Sequence, residues 1–147
     1  MNDIRLIIAG SRDFNNPELL DREVDRYLEE VLKEEYEIEI VSGGARGADR
    51  LGEAYAKSRD YKVKKFLPNW EKHKKSAGYI RNEEMAKYAT HCIIFNLNRS
   101  KGSVHMENIA IKYKLGLKVV NISSESKPSK LDKLIELTEE AGLYDYY

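Results

Sequence analysis

Three short stretches of this 147-residue sequence combine glycine with hydroxyl and guanidinium side chains, a combination suited to holding an oxyanion. The first is Gly10-Ser11-Arg12-Asp13-Phe14. Glycine permits a tight turn and close backbone approach, Ser11 can donate to an oxygen, and Arg12 can fork onto phosphate or carboxylate. The second is Ser42-Gly43-Gly44-Ala45-Arg46-Gly47-Ala48-Asp49. Its glycines leave backbone N–H groups free to face an anion, and a helix starting behind them adds a favourable dipole. It matches neither common phosphate fingerprint, because Ala48-Asp49 follows Gly47 where a P-loop needs Lys-Ser/Thr, and the glycine spacing is not G-x-G-x-x-G. The third is Asn98-Arg99-Ser100-Lys101-Gly102-Ser103, where Ser103 suits either a helix N-cap or a phosphate. Each stretch has a plainer reading too. The first can be a turn with a solvated Arg–Asp pair, the second a tight strand-to-helix turn with Asp49 as a cap, and the third capping alone.

What must position these loops is a series of strands and helices in alternation. Residues 4–9 form a continuous apolar run ending at Gly10, the pattern of a strand buried on both faces. Pro17 opens a helix in which Leu19, Leu20, Val24, Tyr27, Leu28, Val31 and Leu32 recur at three- and four-residue spacing. Residues 38–42 give a second strand, and a helix follows from Ala48 with Leu51, Ala54 and Tyr55 on one face. Residues 63–67 make a weaker third strand ended by Pro68. A helix over 76–88, a strand over 92–95, a helix over 103–115 stopped by Gly116, and a strand over 117–122 complete the alternation. A last helix is expected over 128–140, ending at Gly142. Such alternation predicts an α/β fold: a doubly wound, parallel, five-stranded sheet, Rossmann-like, in the order 3-2-1-4-5 with helices on both faces. Ligands in such sheets sit beyond the carboxyl ends of the strands, where the order reverses. That places the loops after Ala9, Ser42 and Phe95 at one edge.

Length and composition set the outer bounds. The chain is sized for a single domain over residues 1–147, with 41% hydrophobic and 34% charged residues. No stretch approaches the roughly 20 apolar residues of a membrane span. The lone Cys92 and the lack of a secretion signal suit a reducing, cytoplasmic setting. Net charge is zero but uneven: residues 1–56 carry −7, residues 57–118 carry +10 and residues 119–147 carry −3. A neutral total argues against a protein that coats nucleic acid, while the positive middle allows a basic pocket. Segment 62–75 holds lysines at 62, 64, 65, 72, 74 and 75 with Phe66 and Trp70 between them. A solvated strand and loop is the preferred reading over a nucleic-acid patch. His73, His91 and His105 have no metal spacing, so no metal site is expected. Cys92 opens an apolar strand and is expected to be buried rather than reactive.

The first two glycine stretches, read from Gly10 to Phe14 and from Val41 to Asp49, resemble the YspA/YpsA-related branch of the SLOG superfamily. The likeness continues through Trp70, His73, Ala77-Gly78, Arg81-Asn82 and Met85, and closes with Ser100-Lys101-Gly102-Ser103, His105-Met106 and Ala110. It spans residues 4 to 122. That superfamily groups Rossmann-like domains, DprA-type proteins and LOG cytokinin-activating enzymes among them. The resemblance implies a nucleotide-type ligand held by the 43–47 and 100–103 loops. It also implies self-association as a homodimer, for which the tail tyrosines Tyr144, Tyr146 and Tyr147 could serve. In LOG-type enzymes an Arg in an R-K-x-x-M helix, matching Arg81-Asn82-x-x-Met85 here, works with a Glu three residues after a loop Thr. Ser103 stands at the Thr position and Met106 at the Glu position. A thioether neither takes a proton nor stabilises a cationic sugar, and Glu107, one step along, is turned by about 100°. The departure argues against LOG-type hydrolysis and leaves binding untouched.

Three functions follow as expectations. In the first, the chain binds a nucleotide or nucleotide derivative as sensor, carrier or sequestering module. Gly43, Gly44, Gly47, Gly102 and Ser103 would cradle phosphate and Arg12, Arg46 and Arg81 would neutralise it. Ser11 and Asn82 would orient sugar or base, with Gly10, Ser42, Asp49 and Ser100 completing the site. In the second, Glu107 or Asp49 is the acid–base group of an enzyme that cleaves an N-glycosidic or phosphoryl bond. In the third, segment 62–75 binds single-stranded nucleic acid in DprA fashion with Trp70 as stacking platform. The first is the preferred reading.

Overall fold

Strand β1 (Asp3–Gly10) lies at the centre of the sheet, and its apolar residues alternate between two cores. Leu6 and Ile8 join one buried cluster, Ile7 and Ala9 the other. This is the period-two geometry of a strand applied to a run with no polar face to give to water. The computed structural model describes residues 3–32 and 34–122. The helix expected over 128–140, Gly142 and the tail tyrosines Tyr144, Tyr146 and Tyr147 lie outside the described residues.

The other strands are β2 (Glu37–Ser42), β3 (Lys62–Lys65), β4 (His91–Leu97) and β5 (Gly116–Ile122). They form one five-stranded, all-parallel sheet in the order β3-β2-β1-β4-β5, as the alternation predicts. Register is fixed on both sides of β1: Ile7 faces Val41 of β2 and Cys92 of β4. Cys92 is fully buried, as expected of a small apolar residue in a central strand, and burial pushes its thiol pKa up.

Helices α1 (Pro17–Val31) and α2 (Ala48–Ser58) cover one face, packing with Leu6, Ile8, Ile40, Ile93 and Phe95. Pro17 occupies the first turn of α1, where a missing N–H costs nothing, and the Asn16 side chain caps the helix by accepting from the Leu19 N–H at 3.1 Å. Helices α4 (Ala77–Tyr88) and α5 (Lys101–Lys112) cover the other face through Met85, Ala86, Met106 and Ala110. Among the described residues no helix is long and apolar enough to cross a membrane.

Three local expectations are corrected. Helix α5 begins at Lys101 with Ser100, not Ser103, as its N-cap, because the Ser100 hydroxyl accepts from the Ser103 N–H at 3.3 Å. Its end is made by Tyr113 and by Lys114 in the left-handed region, φ 57°, so Gly116 opens β5 instead of stopping the helix. Strand β3 stops at Lys65 although Phe66 N–H still donates to Ser42 O at 2.8 Å. The chain then turns through Pro68 into a short helix α3 (Trp70–His73) and a 3-10 turn (Lys74–Ser76), both read as loop from the sequence. All four residues of β3 are exposed.

Leu20 of α1 is fully buried in the core beneath the sheet. Leu20→Ala should cost about 2–5 kcal/mol, from lost burial and the cavity left behind. Urea denaturation should show a lower midpoint at unchanged slope.

Candidate functional site

The chain after β1 leads to α1 on one face, and the chain after β4 leads to α5 on the other, so a crevice opens between the two strand ends. Ser11 closes its floor. Its N–H donates to Phe95 O at 3.0 Å, and its carbonyl accepts from Phe14 N–H at 3.2 Å and Ala48 N–H at 3.4 Å. Its hydroxyl accepts from Leu97 N–H at 2.8 Å and lies 3.0 Å from Leu97 O, 3.2 Å from Ser100 Oγ and 3.5 Å from Ser103 Oγ. Phe14, buried behind it, stacks on Phe95 with centroids 5.1 Å apart. Ser11 therefore clamps three loops together.

The 42–49 loop is organised around two charges. Asp49, 6% exposed, accepts from Ala45 N–H at 3.2 Å. Half-buried Arg81 donates from Nη1 to Gly43 O and from Nε to Asn82 Oδ1 at 3.0 Å. That second bond orients the Asn82 amide so that Nδ2 faces His105 Nδ1 at 3.1 Å, and the His105 ring packs on Tyr79 at 4.4 Å. Burial holds the His105 pKa below its ordinary value, in keeping with a ring nitrogen that accepts. A Cβ on Gly43 would sit 2.6 Å from Arg81 Nη1 and 2.8 Å from Asp49 Oδ2, so any larger residue must displace the pair. Gly47 has φ +82°, and a Cβ there would approach Ser11 O to 2.4 Å. Ser42 is fully buried and donates to Glu53 Oε2 at 2.6 Å while accepting from Gly44 N–H at 3.1 Å.

A cleft of about 790 Å³ opens at the crevice, within the usual range for small-molecule sites. Of the residues proposed from the sequence, Gly10, Ser11, Arg12, Arg46, Asp49, Arg81, Asn82, Ser100 and Gly102 line it. Gly43 and Gly44 line a neighbouring cavity. Ser42, Gly47, Ser103 and Glu107 line neither. Ser103 is 2% exposed and bonded to Ser100, which makes it part of the loop's framework. Met106, 1% exposed, lines the cleft where Glu107 does not, as the helical offset of one residue requires. The sequence reading missed Tyr79 and Arg50, and placed Lys75 only in the 62–75 segment: Lys75 and Tyr79 line the cleft, and Arg50 lines the neighbouring cavity. Trp70, named in the sequence for the family likeness and as a nucleic-acid platform but not as part of the cleft, is 51% exposed and lines both spaces. Arg46 reaches Asp13 at 3.4 Å, but both are so exposed that the pair adds little stability.

Burial raises the Asp49 pKa from 3.8 to about 6; the Glu53 charge adds to this, while the Ala45 N–H and the Arg81 and Arg12 charges oppose it. Arg81 is pushed the other way by burial, with Asp49 opposing and Arg12 adding. A carboxyl with a raised folded pKa binds more protons folded than unfolded, so its contribution to stability falls as pH rises from 3.8 to about 6. That fall is on the order of 3 kcal/mol for two pKa units. Asp49→Asn keeps an acceptor for Ala45 and should abolish it. Thermal melts from pH 4 to pH 7 should therefore show the variant gaining on the wild type as pH rises; a constant difference would refute the assignment.

Comparisons with known proteins agree with this architecture. A family described as YAcAr, the YspA, cpYpsA-related SLOG family, matches residues 4–73. The Gene 61 protein of Mycobacterium phage D29 is 34% identical over 129 residues, covering 82% of this chain and 98% of that protein. The X-ray structure of DNA processing protein A (DprA) from Streptococcus pneumoniae superposes with a TM-score of 0.60 at 17% identity, covering 99% of this chain. The chain spans 63% of the length of that structure, and the likeness is one of fold. With its switch-point cleft, its parallel sheet order and these relatives, the chain belongs to the YspA, cpYpsA-related SLOG family.

Proposed function

We propose that the crevice binds a nucleotide or nucleotide-derived small molecule. The observation that carries this reading is the convergence of Arg12, Arg81 and Lys75 with exposed Trp70 and Tyr79 on one cleft at the switch point. Cations suit phosphate, and an aromatic face suits a base. Phosphate would lie against Arg12 and Arg81, with the Ser100–Gly102 backbone at the start of α5 on its other side. The Ser11 hydroxyl is engaged by Leu97, so its part is to hold the floor, and Asn82 takes the part of orienting Arg81.

Turnover is not needed for this reading. Met106 occupies the cleft wall where a carboxylate would act, and the Asp49 carboxylate is bonded to Ala45. A second reading, single-stranded nucleic acid, draws on exposed Trp70 beside the exposed lysines of β3, and on the fold shared with a DNA processing protein. It would show as salt-sensitive oligonucleotide binding.

Thermal-shift screening against AMP, GMP, ATP, NAD, ADP-ribose and cyclic nucleotides tests the proposal. A ligand at 100 times its Kd adds about 2.7 kcal/mol, a shift of several degrees. Arg12→Ala should then weaken the bound compound by about 1.5–3 kcal/mol, the worth of a charge-assisted bond. Titration calorimetry with unchanged affinity would remove Arg12 from the site.

A further inference from the structure

Beside the crevice lies a second cavity of about 430 Å³. It sits over the ends of β2 and β3, bounded by Gly43 and Gly44 after β2, by Leu67 and Pro68 after β3, and by Arg50 of α2. Arg12, Arg46, Arg50 and Arg81 all line it, and no carboxylate does. The crevice differs in this respect, because Asp13 and Asp49 contribute to its wall. Arg12 and Arg50 are exposed and make no ion pair among the described residues. Arg46 pairs with Asp13 at 3.4 Å and Arg81 lies beside Asp49, so Arg12 and Arg50 are the guanidinium groups with most charge to offer an anion entering the hollow. The planar guanidinium fork matches phosphate oxygens in pairs.

The two spaces adjoin, since Arg12, Ala45, Arg46, Trp70 and Arg81 line both. We infer that the ligand carries at least two phosphate groups, one in the crevice and one in the arginine cavity above β2 and β3. This rests on the nucleotide reading of the crevice and narrows it. Nucleoside monophosphates would fill the first space only. The second phosphate can belong to a polyphosphate tail or to a pyrophosphate bridge leading to a second sugar.

Titration calorimetry at fixed low salt with AMP, ADP, ATP and ADP-ribose, on wild type, Arg50→Ala and Arg50→Lys, tests the inference. Arg50 is exposed, so all three proteins should melt alike. ADP should bind wild type about tenfold or more tighter than AMP. That ratio should fall toward one in Arg50→Ala and recover in part in Arg50→Lys, which restores the charge without the fork. An advantage held by ADP and ATP alone supports a tail, and one shared by ADP-ribose supports a bridge. Equal affinity for AMP and ADP, with a ratio untouched by Arg50→Ala, overturns the two-phosphate ligand and leaves the crevice reading standing. If none of the four compounds binds, the two-phosphate ligand falls, and the crevice reading falls with it when GMP, NAD and the cyclic nucleotides give no thermal shift either.

Discussion

Parallel strands that send their helices to opposite faces must part company at their carboxyl ends, and their last polar groups then lose each other as partners. In this protein the Ser11 residue resolves that conflict. Its amide, carbonyl and hydroxyl are spent on Phe95, Phe14, Ala48 and Leu97, groups from both sides of the divide. An unpaired buried backbone group costs about as much as a lost hydrogen bond, so Ser11, through backbone and hydroxyl together, ties the two sides of the crevice to each other. The three loops around the cleft inherit their positions from it. With the hydroxyl engaged, the polar groups that face the cleft include longer side chains, Arg12 and Arg81 among them.

A second constraint is the burial of opposite charges under the 42–49 loop. Arg81 and Asp49 lie close enough to shift each other's protonation, yet each also holds backbone, Gly43 O in one case and Ala45 N–H in the other. Arg81 is thus both a wall of the site and the brace for the loop opposite. Its orientation is set in turn by Asn82 and, through it, by His105 and Tyr79. A ligand phosphate near Arg81 would meet a guanidinium whose direction is already chosen, which lowers the ordering cost of binding.

Much of this was legible in the sequence, and the failures have physical causes. The apolar run of β1 and the helix-period pattern of α1 leave few alternatives, and alternation with right-handed crossovers leads to the observed strand order. The second glycine loop announced itself because backbone approaches there leave no room for a side chain, as the contact of Gly47 with Ser11 O bears out. The cap of α5 was misplaced because Ser100 and Ser103 are equally good caps by type, and only geometry says which hydroxyl reaches which amide. Gly116 misled because a left-handed lysine, Lys114, did the work a glycine usually does. Lys75, Tyr79 and Arg50 carry no local signature. They reach the clefts from the turn before α4, from α4 and from α2, and a tyrosine or an arginine on a helix reads as surface until the fold turns it toward a hollow.

The outermost strand β3 invites a different thought. An edge strand offers a row of unsatisfied backbone groups, a template onto which a strand from another molecule can zip. Here that edge reads Lys-Val-Lys-Lys with every side chain exposed. A second copy laid alongside would bring lysine against lysine at van der Waals range, and Pro68 a few residues on cannot donate to any extended ladder. The lysines that look from composition like a grip on nucleic acid thus put charge along this edge, the pattern that discourages strand pairing between molecules.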